Sequence, residues 1–131
     1  MANYKERRKD LYEIIIKETE VDKSNDNLIT FSIDSDLKYI NYLITKNNFK
    51  KYLNMLNPLF MQKTINIQNA QDILKDVIYE VYKTKVSQKR IPQILLNILV
   101  KEDFLHTDDA YDYQVKGNIK ILQKIIKKYT K

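Results

Sequence analysis

Apolar positions recur along this chain with two different periods, and the switches between them mark out its elements. Over residues 4–19, Leu11, Ile14 and Ile15, flanked by Tyr4 and Tyr12, give a partial helical stripe. The polar run "VDKSNDN" (21–27) reads as a loop and as the main internal boundary. "LITFSI" (28–33) alternates Ile29, Phe31 and Ile33 against Thr30 and Ser32, the period of a half-buried strand. Leu37, Ile40, Leu43 and Ile44 return to helical spacing, with Asp34 or Ser35 as the cap. "TKNN" (45–48) interrupts, and Phe49, Tyr52, Leu53, Leu56 and Phe60 predict a further helix with Pro58 near its end.

The second half is more regular. "KTINI" (63–67) alternates as a short strand does. Ala70, Ile73, Leu74, Val77, Ile78 and Val81 then trace one continuous stripe, with Asn66 or Asn69 placed to cap it. "KTKVSQ" breaks the pattern, Ser87 offers the next cap, and Ile91, Ile94, Leu95, Ile98 and Leu99 form a second stripe. Proline is tolerated in a first turn, so Pro92 predicts a helix that begins near Arg90. "DFLHT" and "YDYQV" flank "DDA" as a β-hairpin, and the lone Gly117 precedes a closing helix with Ile119, Leu122, Ile125, Ile126 and Tyr129.

Composition agrees with one domain plus an extension. The chain has 131 residues, 44% of them hydrophobic, and only one glycine and two prolines, which favours helices. With no cysteine it has no disulfide, thiolate nucleophile or cysteine-held metal. His106 is the only histidine, and no phosphate loop or nucleophile elbow is present, so neither catalysis nor a metal or cofactor is expected. The charged start "MANYKERRKD" is unlike a signal peptide, no apolar run is long enough to span a bilayer, and a cytoplasmic location is expected. The formal charge is +6, and its excess lies in the C-terminal half, which points to a polyanionic partner.

The order strand, helix, turn, helix, hairpin over residues 49–117 resembles the winged helix-turn-helix DNA-binding superfamily. The resemblance implies a mainly α fold with a small β wing (α+β), in which residues 1–48 form an N-terminal helix–strand–helix extension and 49–131 the winged domain. "NAQDILKDVIYEVYKTK" would be the support helix, "SQKRIPQILLNILVKED" the recognition helix and "FLHTDDAYDYQV" the wing. The residue pattern of the recognition helix points the same way. Its apolar back leaves Lys89, Arg90, Gln93 and Asn97 as a polar front, with Ser87 and Gln88 at its N-terminal end. Lys83 and Lys85 suit phosphate contacts, and His106 and Lys116, on and beside the wing, complete the candidate DNA-binding set. Tyr111 and Tyr113 are expected to pack the wing onto the core.

The function expected is therefore sequence-specific binding of double-stranded DNA without catalysis, by a transcriptional regulator or by a centromere- or origin-binding adaptor of a plasmid or phage. A homodimer is expected through helix 118–129 or helix 4–19, and no membrane partner. Two alternatives remain open. Residues 27–60 resemble a ribbon-helix-helix unit, with Thr30 and Ser32 facing the major groove. The chain also reads as a helical adaptor or inhibitor whose positive charge meets an acidic protein.

Overall fold

A computed structural model describes residues 20–22, 28–34, 39–109 and 111–130, with side chains from Ile44 onward. Helix 4–19 lies outside the described residues. Glu20–Asp22 (β1), Leu28–Asp34 (β2) and Tyr39–Thr45 (β3) form a three-stranded antiparallel sheet in that order. β3 corrects the helix expected around Ile40. "YINYLIT" is rich in aromatic and β-branched residues, and it pairs with β2 from Asp34↔Tyr39 to Leu28↔Thr45. Short apolar runs satisfy either period, and the pairing partner decides. Thr30 and Ser32 of β2 are also matched to Asp22 and Glu20 of β1. Both edges of that stretch are thus occupied, which removes the paired ribbon that a ribbon-helix-helix unit needs.

Thr45 begins a helix instead of breaking one. Its Oγ1 accepts the Asn48 N–H at 3.0 Å and caps Lys46–Met55 (α1). Pro58 sits in the first turn of a separate short helix, Asn57–Phe60 (α2), where its missing N–H costs nothing. Thr64–Asn66 (β4) leads into Ile67–Tyr82 (α3), where Asn66 Oδ1 accepts the Asn69 N–H at 2.9 Å. α3 ends at Lys83, whose left-handed φ of 57° turns the chain toward Lys85–Lys101 (α4).

The cap of α4 is Thr84, not Ser87: the Ser87 N–H donates to Thr84 Oγ1 at 3.2 Å. Pro92 therefore lies inside the helix and not in its first turn. A proline there deprives the preceding turn of a donor. Two glutamines bridge this region to α3: Gln71 Nε2 donates to the Lys89 carbonyl at 3.4 Å, and Gln88 Nε2 donates to the Lys75 carbonyl at 2.9 Å. α4 ends in a Schellman turn. Asp103 adopts φ 63°, its N–H meets the Val100 carbonyl, and the Phe104 N–H meets the Leu99 carbonyl. That turn delivers Phe104 into the core.

The expected hairpin forms as Leu105–Thr107 (β5) and Asp112–Val115 (β6), and β4 adds to it in the antiparallel order β4-β6-β5. Asp109 Oδ1 closes its turn by accepting the N–H groups of Tyr111 and Asp112, each at 2.9 Å. Tyr113 is fully buried, as expected of a residue packing the hairpin onto the core. Ile119–Thr130 (α5) closes the chain and lays Leu122, Ile125, Ile126 and Tyr129 into the same hydrophobic cluster as Phe49, Leu53, Leu95 and Ile44. The chain is thus mainly helical with small antiparallel sheets, an α+β fold. Among the described residues no helix is long and apolar enough to cross a membrane.

Candidate nucleic-acid interface

The polar front expected on α4 is not a surface. Every residue from Ile91 to Leu99 is buried, Gln93 at 4% exposure and Asn97 at 1%. Gln93 Oε1 accepts from Arg90 Nη1 at 3.3 Å, and Asn97 Oδ1 accepts from the Tyr113 hydroxyl at 2.9 Å. Ser87 is buried as well, its Oγ accepting the Thr84 hydroxyl at 2.7 Å. Gln88 is spent on the bridge to α3. Ser87, Gln93 and Asn97 are therefore corrected from base-reading positions to internal ones, while Gln88 stays half-exposed with its amide held by α3. The reason is that α4 runs through the middle of the domain against α3 and the hairpin, so its circumference from Ile91 to Leu99 is covered. Helical spacing separates apolar from polar positions but does not say which polar ones meet solvent.

What remains exposed near α4 is its N-terminal approach: Lys83, Lys85 and Lys89, with Arg90 half-buried. His106 and Lys116, on and beside the hairpin, each have an acidic neighbour. His106 Nε2 lies 3.0 Å from Asp108, and Lys116 Nζ lies 3.7 Å from Asp103.

A larger positive surface forms where the pattern of apolar residues gave no sign of one. Residues 37–71 contain five lysines and no Asp or Glu, and residues 113–131 contain six lysines and no Asp or Glu. The fold sets these two acid-free stretches side by side. Phe49 of α1 packs on Tyr129 of α5 with ring centroids 5.5 Å apart, which fixes the two helices together. Their outer faces carry Lys50 and Lys51 from α1, and Lys120, Lys124 and Lys127 from α5, all exposed. None of these five meets a carboxylate among the described residues. A groove of about 340 Å³ runs between the helices, lined by Lys50, Asn54, Gln123, Ile126, Lys127 and Thr130.

The Glu102 carboxylate borders this surface, and it is neutralised. Lys128 Nζ reaches Glu102 Oε1 at 2.8 Å and Oε2 at 3.1 Å, while the Tyr129 hydroxyl donates to Oε1 at 2.7 Å. Burial works to raise the Glu102 carboxyl, but the hydrogen bonds from Lys128 and Tyr129 outweigh it and hold the group below its ordinary value. The same contact, after burial, pushes the Tyr129 phenol well above its ordinary value. Other acids lie on α3 and in the hairpin turn, and Glu80 of α3 is close enough to act on the Tyr52 phenol of α1. Asp72, Asp76 and Glu80 follow one another at four-residue intervals along exposed α3, with Lys75 among them, and Asp108 and Asp109 occupy the hairpin turn.

The lysine face also lacks aromatic platforms. Among the described residues the one aromatic side chain exposed as a large apolar surface is Tyr79, which lies on α3 beside Glu80. No group of three or more His, Cys, Asp or Glu arranged to hold a metal occurs among the described residues. No family model, curated protein or solved structure matches the chain.

Proposed function

We propose that the chain is a non-enzymatic protein that binds double-stranded DNA through its phosphate backbone, with the α1–α5 face as the contact surface. The observation that carries this reading is the pairing of two acid-free, lysine-bearing helices on one side of the domain. Lysine suits the role as a strongly hydrated point charge that meets phosphate without demanding a fixed geometry. The scale supports it. α5 has 12 residues and so is about 18 Å long, and duplex DNA carries one charge per about 1.7 Å of axis. Roughly ten phosphates lie along that length, and about half face one side, comparable with the five exposed lysines. Single strands are gripped by stacking bases on exposed aromatic rings, and this face has none, so the duplex is the better substrate.

The topology supports the same reading. β4, α3, α4, β5 and β6 follow in the order of a winged helix-turn-helix, and β4 joins the hairpin in one sheet. The use made of that topology differs from the sequence expectation. With Gln93 and Asn97 interior, base readout from α4 loses both of its expected amide side chains, and backbone contact positions the protein without reading sequence. Leu122, Ile125, Ile126 and Tyr129 of the α5 stripe pack into their own domain, while Ile119 and Ile121 at its start stay exposed.

The test is fluorescence anisotropy with a 20-base-pair duplex and a 20-nucleotide single strand at about 50 mM salt, where backbone contacts are strong. The expected result is duplex binding at least tenfold tighter than single-strand binding, with little preference among duplex sequences. Absence of duplex binding at that salt would refute the reading.

A further inference from the structure

The groove between α1 and α5 changes chemistry along its length. About one helical turn from Asn54 and Gln123, a separate cavity of about 300 Å³ is lined chiefly by Asn57, Phe60, Met61, Phe104, Ile119 and Leu122. The floor of this cavity is a pair of phenyl rings, Phe60 and Phe104, edge to face with centroids 5.2 Å apart. Gly117 keeps that floor in place by being small, because a Cβ there would lie 2.5 Å from the Phe104 ring. The rim is apolar and open to solvent: Met61 is 84% exposed and Ile119 is 46% exposed. Large apolar side chains left bare beside a ring-floored cavity mark a surface that another molecule covers.

The two cavities draw their linings from neighbouring turns of the same segments. α1 and α2 supply Lys50, Asn54, Asn57 and Met61, spaced four, three and four residues apart, while α5 supplies Ile119, Gln123, Lys127 and Thr130. From Ile119 to Thr130 the groove follows α5 for about 16 Å at helical rise. One end is positive with amide and hydroxyl groups between the lysines, the other is apolar with an aromatic floor, and no lining residue is acidic.

We propose that this groove binds an acidic peptide segment of a partner protein that carries one bulky apolar side chain. The apolar side chain fills the Phe60–Phe104 cavity, and carboxylates on the adjoining residues meet Lys50 and Lys127. Anchoring one apolar group in a pocket while charges fix its register is a common economy of protein recognition. Charge complementarity selects the acidic partner, and the cavity distinguishes it from a duplex, whose backbone offers no protruding apolar group. The inference does not rest on the duplex reading. Because Lys50 and Lys127 serve both ligands, bound peptide and bound duplex exclude one another.

The test is selection of 12-residue peptides from a random displayed library on the full chain, followed by anisotropy with the enriched peptides. Variants are Met61→Glu with Ile119→Glu, and Lys50→Glu with Lys127→Glu, all at surface positions that leave the core intact. Enriched peptides are expected to pair Phe, Leu or Met with two or more carboxylates, and each double variant is expected to weaken them at least tenfold. Met61→Glu with Ile119→Glu is expected to leave duplex affinity within a factor of three. A selection without enriched peptides, or peptides indifferent to Met61→Glu with Ile119→Glu, would overturn the proposal. Equal losses of peptide and duplex in that variant would assign the apolar end to nucleic acid and overturn it too. Self-association of the chain in analytical ultracentrifugation, abolished by the same variant, would make a second copy the occupant and reject a foreign peptide.

Discussion

Asn97 offers the sharpest separation between an internal polar residue and a reading one. Its Oδ1 accepts the Tyr113 hydroxyl at 2.9 Å, its Nδ2 has no hydrogen-bond partner, and the residue is 1% exposed. Tyr113→Phe removes the donor and leaves the buried amide oxygen without it, which costs about 1–3 kcal/mol. For a chain of this size that is a fall in Tm of about 4–12 °C. Adding Asn97→Leu replaces both partners by apolar groups of similar volume, and such a swap is close to neutral. The double variant is therefore expected within about 1 kcal/mol of the parent and more stable than Tyr113→Phe alone, a coupling measurable by a double-mutant cycle. Thermal and urea unfolding give the stabilities, and duplex anisotropy is run on the same samples. The double variant is expected to keep its duplex affinity. If Asn97→Leu weakened duplex binding tenfold while Tm stayed at the parental value, Asn97 would be a DNA contact and the internal assignment would fail.

Other consequences are simpler to check. Gly117→Ala places a Cβ 2.5 Å from the Phe104 ring, so overpacking is expected to cost about 1–3 kcal/mol in urea unfolding. Gly117 has no positive φ, and a neutral result would show that the ring yields freely. Thr84→Ala removes the cap of α4 and is expected to cost about 1 kcal/mol, whereas Ser87→Ala, if Ser87 were the cap, would cost the same. Stability should also depend on pH at both extremes. Glu102 is held below its ordinary value, so its contribution is present above about pH 4.5 and fades as pH falls further; Glu102→Gln is expected to flatten this acid limb of a Tm profile. Burial first, and neighbouring groups second, raise the phenols of Tyr52, Tyr82 and Tyr129. Their contribution is present below about pH 10 and lost above it, so an alkaline fall in Tm is expected there.

The second half of the fold was legible because its elements are long or strongly marked. The Ala70–Val81 stripe, the Asn66 cap, the hairpin around "DDA" and the closing helix all stand where periodicity and turn chemistry place them. β3 departs from the helical expectation because Leu37, Ile40, Leu43 and Ile44 also satisfy a helical spacing, and only the ladder to β2 settles the period. Pro92 misled in the other direction, since the bridges from Gln71 and Gln88 stabilise a helix that proline alone would shorten. The site was less legible than the fold. Polar residues on α4 were assigned to solvent, but solvent access depends on what packs around a helix, and Gln93 and Asn97 turn inward to Arg90 and Tyr113. The lysine face carried a different signal, the absence of acids over 37–71 and 113–131, and its meaning emerges only when α1 and α5 meet.

The most direct test of the α1–α5 face is the salt dependence of duplex affinity. Five lysine–phosphate contacts imply a slope of log K against log salt of about −4.5, at about 0.9 per contact. Lys50→Ala, Lys51→Ala, Lys124→Ala and Lys127→Ala together are expected to bring it to about −1, leaving Lys120. Lys85→Ala, Lys89→Ala and Arg90→Ala together are expected to leave it near the parental value. A flat parental profile, or a slope that collapses with the second set and survives the first, would contradict the account.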